Sequence, residues 1–75
     1  MIKYDKRSGL YYGSDVTPSD LDFAEFRAKR IKHKLGDVEK ITVTASYDNS
    51  ITLHVETKEY VFDQKIFRSE FWEVR

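Results

Sequence analysis

The sequence predicts an α+β fold in which one amphipathic helix packs on a small antiparallel sheet. Residues 16–36 carry a helix start signal, apolar positions three and four apart, and a stop signal. Residues 41–62 alternate between apolar and polar, as half-buried strands do. In chain order we expect an N-terminal β-hairpin (1–13), a helix (about 18–35), a three-stranded meander (about 39–47, 51–56 and 59–62) and a C-terminal covering segment, either a short helix or extended.

Length and composition limit the classes of protein that fit. Seventy-five residues predict one domain spanning 1–75, and the absence of cysteine excludes a disulfide framework and a thiolate metal site. Thirteen basic and thirteen acidic residues cancel, which argues against a purely electrostatic nucleic-acid binder. The first residues lack the apolar core of a signal peptide and no apolar run approaches a membrane span, so we expect a cytoplasmic protein without a membrane partner.

The N-terminal hairpin is predicted from two short apolar runs around a polar turn. Tyr4 lies in the first run, Leu10 begins the second, and Gly9 closes the turn because it tolerates a positive φ. Lys6 and Arg7 lie at the tip of this turn. They are either an ordinary charged tip or an auxiliary contact for an anion.

The helix limits follow from local capping residues. Thr17 is a good N-cap, Pro18 suits the first helical position, and Asp20 completes a shortened capping box. Gly36 can adopt the left-handed conformation that ends a helix. One stripe of small and aliphatic side chains is predicted to face the sheet: Leu21, Ala24, Ala28, Ile31 and Leu35.

A second helix face combines aromatic and basic side chains, and it is the candidate partner-binding site. Its members are Phe23, Phe26, Arg27, Arg30, His33 and Lys34. Exposed aromatics beside arginine are typical of protein interfaces, and they can also stack on nucleic-acid bases. In the alternative interpretation, Phe23 borders the core, Phe26 is covered by the hairpin, and the basic residues form a solvated face that complements the helix dipole.

The alternation of the strands predicts their pairing. A three-residue loop at 48–50 pairs Tyr47 with Ile51 and Ala45 with Leu53, and the next turn pairs Val55 with Tyr60. The predicted buried face of the sheet comprises Ile41, Val43, Ala45, Tyr47, Ile51, Leu53, Val55, Tyr60 and Phe62. The predicted outer face is rich in hydroxyl groups and includes His54.

The segment after Asp63 has two interpretations. Asp63 can cap a short helix, or Ile66-Phe67 and residues 71–74 can be extended pieces around a turn. In either case, the apolar side chains at 66, 67, 71, 72 and 74 should cover the domain or a second copy of it. The order of one helix, three strands and a final helix is similar in topology to double-stranded RNA-binding domains. The basic start of their final helix is not matched by residues 63–66, so the similarity implies no function.

No catalytic or cofactor motif accompanies these elements. A catalytic role for His54 would need a nucleophile and an orienting carboxylate, and no sequence pattern signals either, so it is interpreted as a surface histidine. We therefore expect no enzyme activity, no cofactor, no metal and no small-molecule substrate. The expected function is a small protein-interaction module, either an inhibitor or an assembly subunit, that binds a protein partner or a second copy of itself. The alternative is a nucleic-acid-associated module that uses the same helix face.

Overall fold

A computed structural model of the protein describes residues 1–71 and confirms the α+β class. One α-helix packs on a mixed sheet of order β1-β2-β3-β4-β5. All neighbouring strands are antiparallel except β2 and β3, which are parallel. The elements are β1 (Lys3–Asp5), β2 (Leu10–Tyr12), α1 (Pro18–Leu35), β3 (Val38–Ser46), β4 (Ser50–Thr57), β5 (Val61–Phe67) and a 3₁₀ turn (Arg68–Phe71).

The parallel pairing of β2 with β3 joins the N-terminal hairpin to the meander. Tyr11 lies opposite Thr42, and Tyr12 opposite Val43. The helix supplies the long crossover that a parallel pair of strands requires. The hairpin is thus part of the same sheet as the three predicted strands.

The caps of α1 form as predicted. The Asp20 N–H donates to Thr17 Oγ1 over 3.2 Å, and the Thr17 N–H donates to an Asp20 carboxylate oxygen over 3.1 Å. Gly36 has φ of 81° and donates its N–H to the Lys32 carbonyl over 2.9 Å. These contacts satisfy backbone groups that lack partners within the helix.

The rotation of α1 differs from the predicted stripe. Ala24 and Ala28 are buried as expected, but Phe23 is also buried, whereas Leu21 and Ile31 are only half-buried. The small alanines let the helix approach the sheet closely. The buried apolar core consists of Leu10, Val16, Phe23, Ala24, Ala28, Ile41, Val43, Ile51, Leu53, Val55 and Ile66.

The turn between β3 and β4 has the predicted odd length but lies one residue earlier. Ser46 pairs with Ser50, Ala45 with Ile51, and the loop comprises residues 47–49, with Asn49 at φ of 62°. The side chain of Tyr47 is therefore fully exposed in the loop, and its predicted burial is wrong. The apolar face of each strand is preserved, because the register differs from the prediction by two residues.

The last strand is longer than predicted. β5 continues to Phe67, and Val55 pairs with Phe62 instead of Tyr60, which is about half-exposed. Of the two interpretations of the segment after Asp63, the α-helix is wrong, whereas the extended one agrees with the structure at Ile66 and Phe67 and at the turn that follows them. The similarity to the αβββα order therefore does not extend to this end of the chain. The predicted covering roles of positions 72 and 74 lie outside the described residues.

The 3₁₀ turn folds back onto the start of α1. Arg68 donates from Nε and Nη2 to the two carboxylate oxygens of Asp20 over 2.9 and 2.8 Å. The Phe71 ring stacks on Phe23, with centroids 4.1 Å apart and planes at 15°. A residue far along the chain thus covers the aromatic side chain that sequence reasoning placed on the outer face of the helix.

Candidate functional site

A groove lies between α1 and β5. Its volume is about 860 Å³. The helix contributes Arg27, Ile31 and Leu35, and β5 contributes Phe62 and Gln64. The groove exists because α1 packs mainly over β3, so the helix does not cover the full width of the sheet as far as β5.

The helix side of the groove carries basic side chains and forms a basic wall, the β5 side carries the carboxylate of Asp63, and the apolar lining side chains form the floor. Arg27, Arg30 and Lys34 line it without an ion pair to any residue in the range 1–71, whereas Lys29 lies 3.9 Å from Glu25. The floor includes Ile31 and Phe62. Positive groups that border apolar surface suit a ligand that offers both carboxylates and apolar side chains.

Arg27 has the most constrained position in this groove. Its guanidinium carbon lies 5.8 Å from the centroid of the Phe23 ring. Its Nε atom is buried and has no hydrogen-bond partner among the described residues. A buried N–H without a partner is costly in free energy.

The structure separates the six predicted site residues into three groups. Arg27, Arg30, His33 and Lys34 line the groove together. Phe26 is 49% exposed and is not among the groove-lining side chains. Phe23 is only 2% exposed, so the expectation that it is available to a partner is wrong. The physical reason is that the Phe23 ring belongs to the hydrophobic core and is also stacked by Phe71.

At the tip of the N-terminal hairpin, the side chain of Arg7 forms an ion pair within the protein. Arg7 Nη2 lies 3.0 Å from Asp22 Oδ1 on α1, so this guanidinium already has an anionic partner. Both side chains are exposed to solvent, and such surface ion pairs contribute little to stability. Lys6 remains exposed at the tip.

A second polar cluster lies on the outer face of the sheet, and sequence reasoning missed it. Thr44 Oγ1 is 3.1 Å from His54 Nε2, and His54 Nδ1 is 2.7 Å from Asp63 Oδ1. Since an ionised carboxylate only accepts hydrogen bonds, Nδ1 donates to Asp63, and Nε2 of the neutral ring accepts from the threonine hydroxyl. The three residues come from β3, β4 and β5, so only the strand register brings them together.

This cluster resembles a hydroxyl–imidazole–carboxylate relay, but its setting is an open sheet surface. Catalysis of acyl transfer also needs N–H donors aimed at the developing oxyanion. Backbone N–H groups of a sheet lie in its plane and bond to neighbouring strands, so they do not point toward the Thr44 hydroxyl. The geometry accounts for a fixed orientation of His54.

Aromatic and basic groups flank this cluster on the outer face. The Tyr4 and Tyr11 rings lie 4.8 Å apart, and Lys40 Nζ lies 4.6 Å from the Tyr11 centroid. At the other side of the sheet, Lys65 Nζ lies 5.1 Å from the Phe67 ring and contacts Asp48. Positive and negative groups are mixed on this face, in contrast to the uniformly basic helix side of the groove.

Comparison with protein-family models, with curated proteins and with solved structures finds no match for this chain. Within residues 1–71, no three side chains of the types His, Asp and Glu are close enough to share a metal ion. In the same part of the chain, no helix has the length and apolar character needed to cross a membrane.

Proposed function

We propose that this protein is a small non-enzymatic protein-interaction module, an inhibitor or an assembly subunit, whose α1–β5 groove holds an acidic, partly apolar segment of a partner protein. One observation carries the proposal: Arg27, Arg30 and Lys34, which make no ion pair within residues 1–71, border an apolar floor that contains Ile31 and Phe62. A carboxylate of the partner pairs with the basic wall while a neighbouring apolar side chain covers the floor.

The mixed character of the groove favours a protein over a nucleic acid. A phosphate backbone offers charge but no aliphatic groups, so it would leave Ile31 and Phe62 exposed to solvent. Aromatic side chains and arginine are enriched at protein interfaces, and desolvated apolar contacts supply most of the binding free energy there. The net charge of zero agrees with a local site rather than a generally basic surface.

In this proposal, Phe26 and His33 contact the partner at or near the rim of the α1–β5 groove. Phe26 is 49% exposed and His33 lines the groove. A large exposed aromatic side chain close to a binding groove is a suitable anchor for the edge of a partner. Phe23 has no such role, because it is buried.

Binding of single-stranded nucleic acid is the second candidate function. The observation that favours it is the exposed Phe26 ring on a helix that also presents Arg30, His33 and Lys34. In that case, the ring stacks on an unpaired base and the basic groups contact phosphates. Binding would then weaken steeply as salt rises, because each neutralised phosphate releases a counterion.

Fluorescence anisotropy with defined probes distinguishes the two candidates. The probes are a labelled peptide of alternating Glu and Leu residues, a labelled polyglutamate peptide of equal charge, and labelled single-stranded and duplex DNA and RNA. We expect the Glu/Leu peptide to bind at least about tenfold more tightly than polyglutamate, because only the former covers the apolar floor. Its affinity should fall only moderately between low and moderate salt.

Charge-reversal variants localise the binding. Arg27→Glu/Arg30→Glu should weaken binding of the Glu/Leu peptide at least about tenfold, since it places like charges at the basic wall. Lys3→Glu/Lys58→Glu is the matched control, because both of these lysines are exposed and lie outside the groove. Steeply salt-dependent binding of nucleic acid alone would support the second candidate, and no binding of any probe would refute a role for the groove.

A further inference from the structure

β5 is an edge strand, so one of its two hydrogen-bonding edges has no neighbouring strand within residues 1–71. It is the last strand of the sheet and pairs with β4. Its seven residues, VFDQKIF, contain no proline, glycine or bulge. Natural edge strands usually carry proline, a bulge or charged side chains to prevent pairing with another chain, and the two charges of β5, Asp63 and Lys65, are of opposite sign.

The hydrogen bonds at both ends of β5 show which backbone groups face outward. The Thr57 N–H donates to the Tyr60 carbonyl and the Arg68 N–H donates to the Asn49 carbonyl, both over 2.9 Å. Because antiparallel ladders alternate, the even-numbered residues from 60 to 68 face β4. The odd-numbered residues Val61, Asp63, Lys65 and Phe67 therefore direct their N–H and C=O groups to the free edge.

One contact supports this alternation independently. The Phe67 N–H donates to a carboxylate oxygen of Glu70 over 2.9 Å, so it does not bond to β4. The side chain of Glu70 thus covers the last outward N–H of the strand. The outward groups of Val61, Asp63 and Lys65 precede this covered position.

The sequence of β5 is complementary to itself in the antiparallel direction. If two copies pair about Gln64, Val61 lies opposite Phe67 and Phe62 opposite Ile66, so apolar side chains meet apolar side chains. Asp63 lies opposite Lys65, which places opposite charges together. In this register the outward-facing Asp63 and Lys65 form the hydrogen-bonded pairs of the ladder, and Val61 opposite Phe67 is the end pair, in which the Phe67 N–H stays with Glu70.

We propose that the protein forms a homodimer in which β5 pairs with β5 of a second copy about a two-fold axis at Gln64. The two sheets then become one continuous sheet, and the two copies present the same surface to each other. The Asp63 and Lys65 backbones form the centre of the ladder. The inference depends on the geometry of β5 and not on what occupies the α1–β5 groove.

The exposed apolar groups of β5 agree with this arrangement. The side chains of Val61 and Phe67 are 70% and 43% exposed and lie on the outer face at opposite ends of the strand. In the dimer, Val61 of one copy packs against Phe67 of the other copy, and the two-fold axis repeats this contact. Cross-strand apolar pairs and opposite charges stabilise a sheet, whereas like charges directly opposite destabilise it.

Paired charge variants test the proposal by sedimentation velocity from about 1 µM to about 1 mM protein. We expect the unmodified protein to dimerise within this range. Lys65→Asp places Asp63 opposite a second aspartate, and Asp63→Lys places Lys65 opposite a second lysine. Each variant alone should raise the dimer dissociation constant at least about tenfold. An equimolar mixture of the two should associate again, because every charge then meets its opposite.

Association of the equimolar Lys65→Asp and Asp63→Lys variants distinguishes loss of the interface from loss of the fold. Circular dichroism of each variant establishes that the monomer is folded, and Lys3→Glu, an exposed position at the opposite edge of the sheet, should dimerise like the unmodified protein. A monomeric unmodified protein at the highest concentration would overturn the proposal. Single variants that dimerise normally, or folded variants whose mixture does not associate, would overturn it as well.

A cysteine introduced at position 64 tests the register directly. The protein has no cysteine, and Gln64 would lie opposite itself in a pair that is not hydrogen-bonded, where side chains are closest. Gln64→Cys should therefore form a disulfide-linked dimer under mild oxidation, and Lys58→Cys in the preceding turn should not. Equal cross-linking of both variants, or none at position 64, would contradict the two-fold axis at Gln64.

Discussion

Replacing Arg68 with methionine removes the ion pair that holds the 3₁₀ turn against the start of α1. Methionine keeps the apolar part of the side chain, so the change isolates the guanidinium. The Asp20 carboxylate is 1% exposed and accepts two hydrogen bonds from Arg68, while the N–H of Thr17 continues to donate to it. The variant therefore leaves a buried charge with fewer partners.

The expected loss of stability follows from these contacts. Hydrogen bonds to a charged group contribute roughly 1.5–3 kcal/mol each, and breaking a buried pair costs about 3–5 kcal/mol. The Arg68 side chain is 30% exposed, so water replaces part of the interaction. We expect a loss of about 2–4 kcal/mol, a large fraction of the roughly 4–11 kcal/mol typical of a chain of this length.

Urea denaturation followed by circular dichroism measures this loss. A double-mutant cycle with Asp20→Asn separates the ion pair from the capping role of Asp20, since the cycle cancels the effects that each change has alone. We expect a coupling free energy of at least about 1.5 kcal/mol. A coupling below about 0.5 kcal/mol would show that the stability contributed by Asp20 does not depend on Arg68.

The same pair predicts a dependence on pH. Burial acts to raise the pKa of the Asp20 carboxyl, but the hydrogen bonds from Arg68 and Thr17 outweigh it and hold this pKa below 3.8. A lowered folded-state pKa stabilises the protein above the unfolded-state value, and this contribution is lost as the pH falls through the folded-state pKa. The difference in unfolding free energy between the unmodified protein and Arg68→Met should be largest at neutral pH and shrink below pH 3.8. A difference that stays constant on acidification would contradict this assignment.

The remaining predictions concern packing and capping, and urea denaturation measures each of them. Phe23→Ala should lose about 3–5 kcal/mol because its buried ring leaves a cavity. Phe26→Ser should lose only about 1 kcal/mol because its ring is 49% exposed; equal losses would contradict the observed rotation of α1. Gly36→Ala should lose about 1 kcal/mol because φ of 81° is unfavourable for a residue with a side chain, and no loss would contradict that conformation. Thr17→Ala should lose about 1 kcal/mol with the capping box, whereas Thr17→Ser should retain most of the stability.

Local interactions made part of this fold predictable from the sequence. The limits of α1 depend on Thr17, Pro18 and Gly36, whose effects act within one helical turn, and the observed helix agrees with them. The faces of the strands depend on a two-residue period, so an error of two residues in register left most side chains on the correct side of the sheet. Tyr47 and Tyr60 are the exceptions, because both lie at turns, where the alternation ends.

Contacts between distant residues decided the rest. Phe23 belongs to the hydrophobic core and is also stacked by Phe71, and no pattern within the helix reveals a partner so far along the chain. Thr44, His54 and Asp63 meet only through the register of three strands. The basic residues of the helix were recognisable from the sequence as a group. Their position beside an apolar floor depends on where α1 crosses the sheet, which is a property of the packed core and not of any local segment.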